Sequence, residues 1–187
     1  MNITAVLLAG GESRRMGVDK ATLLFRGKPL WQVQLDSLQK LHPCEILLSA
    51  RNDPEWRPND LHFVADTPPS RGPLSGLTAA LGHVRTTHLV AVAIDMPFMT
   101  TDYLRSLCDL IAPGCGVLPM INDRAEPLAA IYPNEAHVDL AGALLDGDLS
   151  LQPVTARLVA AGKLRAIAVA ESDKRLFANL NEPTDLD

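Results

Sequence analysis

The chain has 187 residues, 47% of them hydrophobic and 21% charged, with a formal net charge of -5. That length and composition suit one folded domain with a substantial core and exclude intrinsic disorder, while the negative balance excludes bulk attraction to nucleic acid. No apolar run approaches the roughly 20 residues of a membrane-spanning helix, and Cys44, Cys108 and Cys115 show no CxxC spacing that would indicate a disulfide framework or a zinc site.

Short aliphatic runs alternate with helical periodicity, which predicts an α/β fold with a mostly parallel sheet. Residues 3–8 form the first strand. A helix beginning near Pro29, a favourable first-turn residue, carries Trp31, Leu35, Leu38 and Leu41 on one face. Residues 46–49 and 61–64 are the next strands, and the intervening 52–59, with two prolines, is a surface loop whose Trp56 packs down.

Pro73 marks a second helix start, followed by Leu74, Leu77, Leu81 and Val84 at helical spacing. Residues 88–94 are almost wholly apolar and form a central strand. A helix over 101–111, strands over 116–119 and 128–132, helices over 134–145 and 151–161 and a strand over 164–169 complete the alternation. No repeat or linker divides the chain, so a single domain over 1–187 is expected, in a cytoplasmic protein without a secretory leader. The histidines His42, His62, His83, His88 and His137 have no metal-ligand spacing.

The segment Leu7-Leu8-Ala9-Gly10-Gly11-Glu12-Ser13-Arg14-Arg15-Met16-Gly17-Val18-Asp19-Lys20 follows directly on the first strand, where open α/β sheets place their ligands. Gly10, Gly11 and Gly17 can take positive φ and bring backbone N–H groups close to phosphate oxygens. From Glu12 to Lys28 five basic residues (Arg14, Arg15, Lys20, Arg26, Lys28) stand against two acidic ones in an otherwise acidic chain. The pattern is neither G-x-x-x-x-G-K-[ST] nor G-x-G-x-x-G, because Gly17 is followed by Val18-Asp19-Lys20 and Gly10 and Gly11 are adjacent. A surface turn with scattered charges is the competing reading; three glycines and three cations placed straight after the first strand weigh against it.

Leu8-Ala9-Gly10-Gly11-x-Ser13-x-Arg15-Met16-Gly17-x-Asp19-Lys20 resembles the signature of the molybdenum cofactor guanylyltransferases, the MobA family. The likeness continues through Gly27-Lys28-Pro29-Leu30, Asp66, Gly72-Pro73-Leu74-Ser75-Gly76, Asp95-Met96-Pro97, Glu126-Pro127-Leu128 and Phe177-Ala178-Asn179-Leu180-Asn181. It implies a three-layer, Rossmann-like nucleotidyltransferase fold. The activity it implies is transfer of GMP from GTP to the terminal phosphate of Mo-molybdopterin, with Mg2+ required and pyrophosphate released. Transient contact with proteins that deliver molybdopterin or accept the product is also implied; neither nucleic acid nor a membrane is an expected partner.

Carried over residue by residue, the resemblance places Leu8, Ala9, Gly10, Gly11, Arg14, Gly17 and Lys20 on the nucleotide, with Lys20, Arg15 and Asp95 as the catalytic set. Asp95 ends a central strand and is the expected Mg2+ ligand; its other reading is an N-cap, a role Thr100 or Thr101 can fill. Asp66 is placed against the nucleotide, although a turn aspartate before Pro68-Pro69 fits its spacing as well. Asp19 is read as orienting Lys20.

Ser49 stands where the family commonly has an Asn for the base, and Asn52 is a possible substitute. Asn179 and Asn181 are carried over to the pterin side, against an equal reading as turn caps before Pro183. A cytidylyl relative would read Ala-Ala-Gly in place of Ala9-Gly10-Gly11, which favours guanine. A sugar nucleotidyltransferase would be longer than this chain. Against a regulator without turnover, Lys20 and Asp95 both speak.

Overall fold

In a computed structural model, residues 2–10, 19–66, 70, 72–146 and 150–180 are described. Ten strands, β1 (Ile3–Leu8), β2 (Leu24–Phe25), β3 (Lys28–Pro29), β4 (Glu45–Ala50), β5 (His62–Ala65), β6 (His88–Ala93), β7 (Gly116–Ile121), β8 (Arg124–Ala125), β9 (Ala129–Pro133) and β10 (Leu164–Ala168), occur among these residues. They alternate with helices α1 (Leu30–Gln39), α2 (Pro73–His83), α3 (Thr101–Cys108), α4 (His137–Asp146) and α5 (Leu151–Ala160). Three 3-10 turns, Lys20–Thr22, Asn134–Ala136 and Glu171–Phe177, complete the described elements.

Every residue of β1 is buried, so the period-two alternation of a strand sends its side chains into two separate cores. Ile3, Ala5 and Leu7 pack with Leu30, Leu35 and Leu38 of α1 and with Leu104 and Leu107 of α3. Val6 and Leu8 pack on the opposite face with Leu74, Leu77 and Leu81 of α2, Leu140 of α4 and Leu158 of α5. β6 repeats this division, with Val90 and Val92 on the first face and Leu89 and Ala91 on the second. Helices therefore cover both faces of the sheet in three layers. Each buried leucine contributes about 1.5–3 kcal/mol of transfer free energy.

The sheet runs in the order β10-β7-β9-β6-β1-β4-β5, with β8 paired to β7. β4 and β6 flank β1 in parallel and β5 extends β4, so Leu8 is level with both Ser49 and Ala93, and Ala50 with Ala65. The carboxyl ends of four parallel strands thus share one edge. β9 is antiparallel to both β6 and β7, and β10 is parallel to β7. The reversal brings the start of β9 to that same edge, where Ala93 N donates to Leu128 O at 2.9 Å.

Two tight hairpins depart from the sequence expectation. β2 and β3 pair across Arg26 and Gly27, whose φ values are 52° and 79°, and β7 and β8 pair across Asn122 and Asp123, at 47° and 62°. Positive φ at both central residues is the conformation a two-residue hairpin needs. Pro29 consequently belongs to β3 and stands at the N-cap of α1 rather than in its first turn. Pro73, by contrast, does open α2, behind Gly72 at φ 77°. Among the described residues, no helix is long and apolar enough to cross a membrane.

Candidate functional site

The shared strand edge frames a cleft of about 140 Å³ lined by Leu8, Ala9, Gly10, Asp19, Lys20, Ser49, Asp66 and Asp95, with Gly72, Pro73 and Gly76 of the α2 entry and Leu128 before β9. Its floor is made by backbone that prolongs the ladders. Ala9 N donates to Ser49 O at 2.8 Å, Ile94 N to Leu8 O at 3.0 Å and Asp66 N to Ala50 O at 3.0 Å. The first turn of α2 opens into the cleft, presenting the positive end of its dipole.

At one end lies Asp66, 4% exposed. A buried carboxylate is costly unless hydrogen-bonded, and two hydroxyls serve it: Ser49 Oγ donates to Oδ1 at 3.1 Å and Ser70 Oγ to Oδ2 at 2.9 Å. Ser49, 1% exposed, shares its single proton between Asp66 and Gly76 O at 3.2 Å. Gly10 and Gly76 leave the space this arrangement needs. A Cβ on Gly10 would stand 2.8 Å from Asp66 Oδ2, and one on Gly76 would stand 2.9 Å from Ser49 Oγ. Gly10 is not in the left-handed region, so it is required here for close approach and not, as expected from the sequence, for positive φ.

Lys20 and Asp95 meet at the other end, with Lys20 Nζ 3.6 Å from Asp95 Oδ2 and the two side chains 23% and 26% exposed. Lys20 Nζ also donates to Leu180 O at 2.9 Å, while Leu180 N donates to Asp95 O at 2.9 Å. The backbone of one C-terminal residue therefore bridges the pair. Asp95 does not cap α3; Thr100 does, accepting from Tyr103 N. The turn after Asp95 is held from below by Gln34, a buried polar residue of α1 whose Nε2 donates to Met96 O.

Asp19 caps the turn that carries Lys20: its Oδ1 accepts from Ala21 N at 3.0 Å, and its Oδ2 accepts from Trp56 Nε1 at 2.7 Å. Of the residues singled out in the sequence, Leu8, Ala9, Gly10, Lys20, Ser49, Asp66 and Asp95 line one cleft. Gly11, Arg14, Arg15, Gly17 and Asn181 lie outside the described residues. Asn179 is exposed and does not line the cleft. Asn52, the possible substitute for Ser49, is exposed as well and also stands outside it.

Near the start of β9, burial pushes the Glu126 carboxyl above its usual range, opposed by the Arg124 charge. Tyr132, fully buried, donates its hydroxyl to Pro127 O at 2.7 Å and so fixes the approach to Leu128. Sequence reasoning passed over Gln34, Ser70, Gly76 and the Leu180 backbone. Gly76 and Leu180 had a visible signal, as parts of the Gly72-Pro73-Leu74-Ser75-Gly76 and Phe177-Ala178-Asn179-Leu180-Asn181 runs.

Asp95 offers hard oxygens at a partly open position, the donor type Mg2+ takes when one or two carboxylates hold it and water and phosphate complete its shell. The residues present fit such an ion. Among the described residues, no group of three or more His, Cys, Asp or Glu gathers as a metal cage.

Comparison with known proteins agrees with this fold. The MobA-like NTP transferase domain matches residues 5–178. The chain is 34% identical to a probable molybdenum cofactor guanylyltransferase of Opitutus terrae over 99% of its own length and 93% of that protein's. It is 32% identical to a molybdenum cofactor guanylyltransferase of Yersinia pseudotuberculosis, covering 100% and 94% of the two chains. A solved structure of molybdopterin-guanine dinucleotide biosynthesis protein A from Archaeoglobus fulgidus superposes with a TM-score of 0.78 at 24% identity, over 98% of this chain and 94% of that one. The chain belongs to the MobA-like NTP transferase family and is a nucleotidyltransferase.

Proposed function

We propose that the protein acts in molybdenum cofactor biosynthesis, transferring GMP from GTP to the terminal phosphate of Mo-molybdopterin. An oxygen of that phosphate attacks the α-phosphorus of GTP, the bond to the β-phosphate breaks, and pyrophosphate leaves with its electrons. The observation that carries the reading is the placement of Lys20 against Asp95 at the carboxyl end of β6, in a chain whose relatives bear the name guanylyltransferase.

Phosphoryl-type transfer depends on positioning and charge neutralisation more than on covalent chemistry by the protein. Lys20 supplies a cation for the triphosphate, joined by Arg14 and Arg15, and the backbone around Gly10, Gly11 and Gly17 supplies N–H donors. Asp95 would hold the Mg2+ ion, which when bound offsets phosphate charge.

Guanine presents two adjacent donors, the ring N1–H and the 2-amino group. Ser49 has its hydroxyl engaged by Asp66 and Gly76, so the Asp66 carboxylate, with backbone carbonyls around Leu8 to Gly10, takes over the acceptor role that an Asn would fill. Hydroxyl donors occupy one site on each of its oxygens and leave lone pairs for the base. The C-terminal part of the chain, through the stretch of Asn179 and Asn181, serves the pterin acceptor, in a cytoplasmic reaction that involves transient contact with delivery and acceptor proteins.

The test is incubation of the purified protein with Mg2+, Mo-molybdopterin and each of GTP, CTP, ATP and UTP while pyrophosphate release is followed. Release with GTP well above the other three is expected. Release with CTP alone would overturn the base assignment, and none with any nucleotide would overturn the reaction.

A further inference from the structure

Trp56 and Asp19 are 37 residues apart in sequence, yet the indole Nε1–H donates to Asp19 Oδ2 at 2.7 Å. The connection between β4 and β5 that carries Trp56 is braced from within. Arg57 forks onto Asp53 through Nε at 2.7 Å and Nη2 at 2.8 Å, and its Nη1 donates to Pro58 O at 3.2 Å and Leu61 O at 2.6 Å. The indole stacks on Trp31, the chain's other tryptophan, with ring centroids 5.7 Å apart and planes inclined by 15°. Trp31 belongs to the first turn of α1, so the ring is fixed between two rigid pieces of the fold.

Stacking accounts for where the ring lies, but not for a charge-assisted hydrogen bond aimed at the residue before Lys20. Asp19 uses both carboxylate oxygens: Oδ2 receives the indole and Oδ1 caps the 3-10 turn Lys20–Thr22 at Ala21 N. Rotation of that carboxylate would release the cap, and the turn fixes the direction of the Lys20 side chain toward Leu180 O and Asp95. Trp56 is linked to the ammonium through one carboxylate and one turn; it does not itself line the cleft, and meets the lining through Asp19.

We infer that Trp56 is a positioning residue for Lys20, holding the Asp19 carboxylate so that the turn presents the ammonium to the triphosphate. The inference rests on the proposed role of Lys20 in binding that triphosphate.

Steady-state kinetics and thermal unfolding of the full chain test it, with Trp56→Phe, Asp19→Asn, their double variant and Lys20→Ala compared with wild type. Phenylalanine keeps an aromatic face for Trp31 and removes the pyrrole ring with its N–H. Asparagine keeps the cap and turns an amide donor toward the indole. Trp56→Phe is expected to raise KM for GTP by about 3- to 10-fold while kcat stays within about 2-fold. The double variant is expected to be no worse than Asp19→Asn alone, because both remove the same bond.

A merely structural tryptophan would lower Tm or kcat and leave KM at the wild-type value. That result, or effects of the two substitutions that multiply, would overturn the inference. Lys20→Ala separates the two layers of the argument. If it too leaves KM unchanged, the role given to Lys20 fails; if it raises KM and Trp56→Phe does not, only the role of Trp56 fails.

Discussion

Asp66 and Asp95 both follow a parallel strand at the same edge of the sheet, yet Asp66 is 4% exposed while Asp95 keeps 26% of its side chain open. The neighbours differ in kind. Asp66 is held by hydroxyls from Ser49 and Ser70 and pressed against Gly10 and Gly76, whereas Asp95 faces an ammonium at 3.6 Å. A buried, hydrogen-bonded carboxylate keeps a fixed orientation and suits the recognition of a fixed donor pattern. A partly open carboxylate beside a cation suits a ligand whose charge must be balanced and then released. The Lys20 and Asp95 pair contributes only about 0–1 kcal/mol to folding, as partly exposed ion pairs do, so stability alone does not explain it.

Asp95→Ala probes this contrast at its most sensitive point. Transfer is expected to fall by about 1000-fold, the scale on which removed electrostatic stabilisation acts, with the thermal unfolding midpoint little changed; activity measured across a Mg2+ titration checks both the size and the metal dependence. Ser49→Ala acts at the other end and more mildly. It removes one donor to Asp66, and a fall of about 5- to 10-fold in kcat/KM for GTP is expected. Its preference for GTP over ITP, which lacks the 2-amino group, should fall in parallel, since a loosened carboxylate discriminates less.

Salt separates the two ends without any substitution. Raising NaCl from about 50 to 500 mM shortens the Debye length well below 10 Å, so KM for GTP should rise by about 2- to 5-fold through the open Lys20 end. The ratio of kcat/KM for GTP and ITP, set at the buried end, should move by less than about 2-fold.

Much of this arrangement was legible in the sequence. β1, β4 and β6 announce themselves as apolar runs, and Asp95 and Asp66 are placed by standing directly after strands. Of the glycine-rich segment after β1, Gly10, Asp19 and Lys20 line the cleft. Other features carried weaker marks. Asn122-Asp123 is a turn pair suited to positive φ, but a strand ending at Pro119 is the natural expectation because proline removes a ladder donor, whereas β7 continues to Ile121.

What was not legible depends on contacts between distant parts of the chain. Gln34, on the buried face of α1, reads as an ordinary polar position until Met96 O is found beneath it. Ser49 reads as a departure from the family Asn until Asp66 and Gly76 are seen to engage its hydroxyl. The Leu180 carbonyl and N–H that bridge Lys20 and Asp95 have no side-chain signature at all. The reversal of β9 was equally hidden, because a fully buried strand looks alike in either direction.

The most direct test of the two-ended cleft is kcat/KM of wild type and Asp66→Asn with GTP and with xanthosine triphosphate. Xanthine carries a carbonyl where guanine carries its 2-amino group, and an asparagine amide can donate to that carbonyl while still accepting from N1–H. Wild type is expected to prefer GTP, and Asp66→Asn to lose roughly 10- to 100-fold with GTP and to prefer xanthosine triphosphate instead. An unchanged ratio of the two nucleotides in Asp66→Asn would contradict the assignment of base recognition to the buried end.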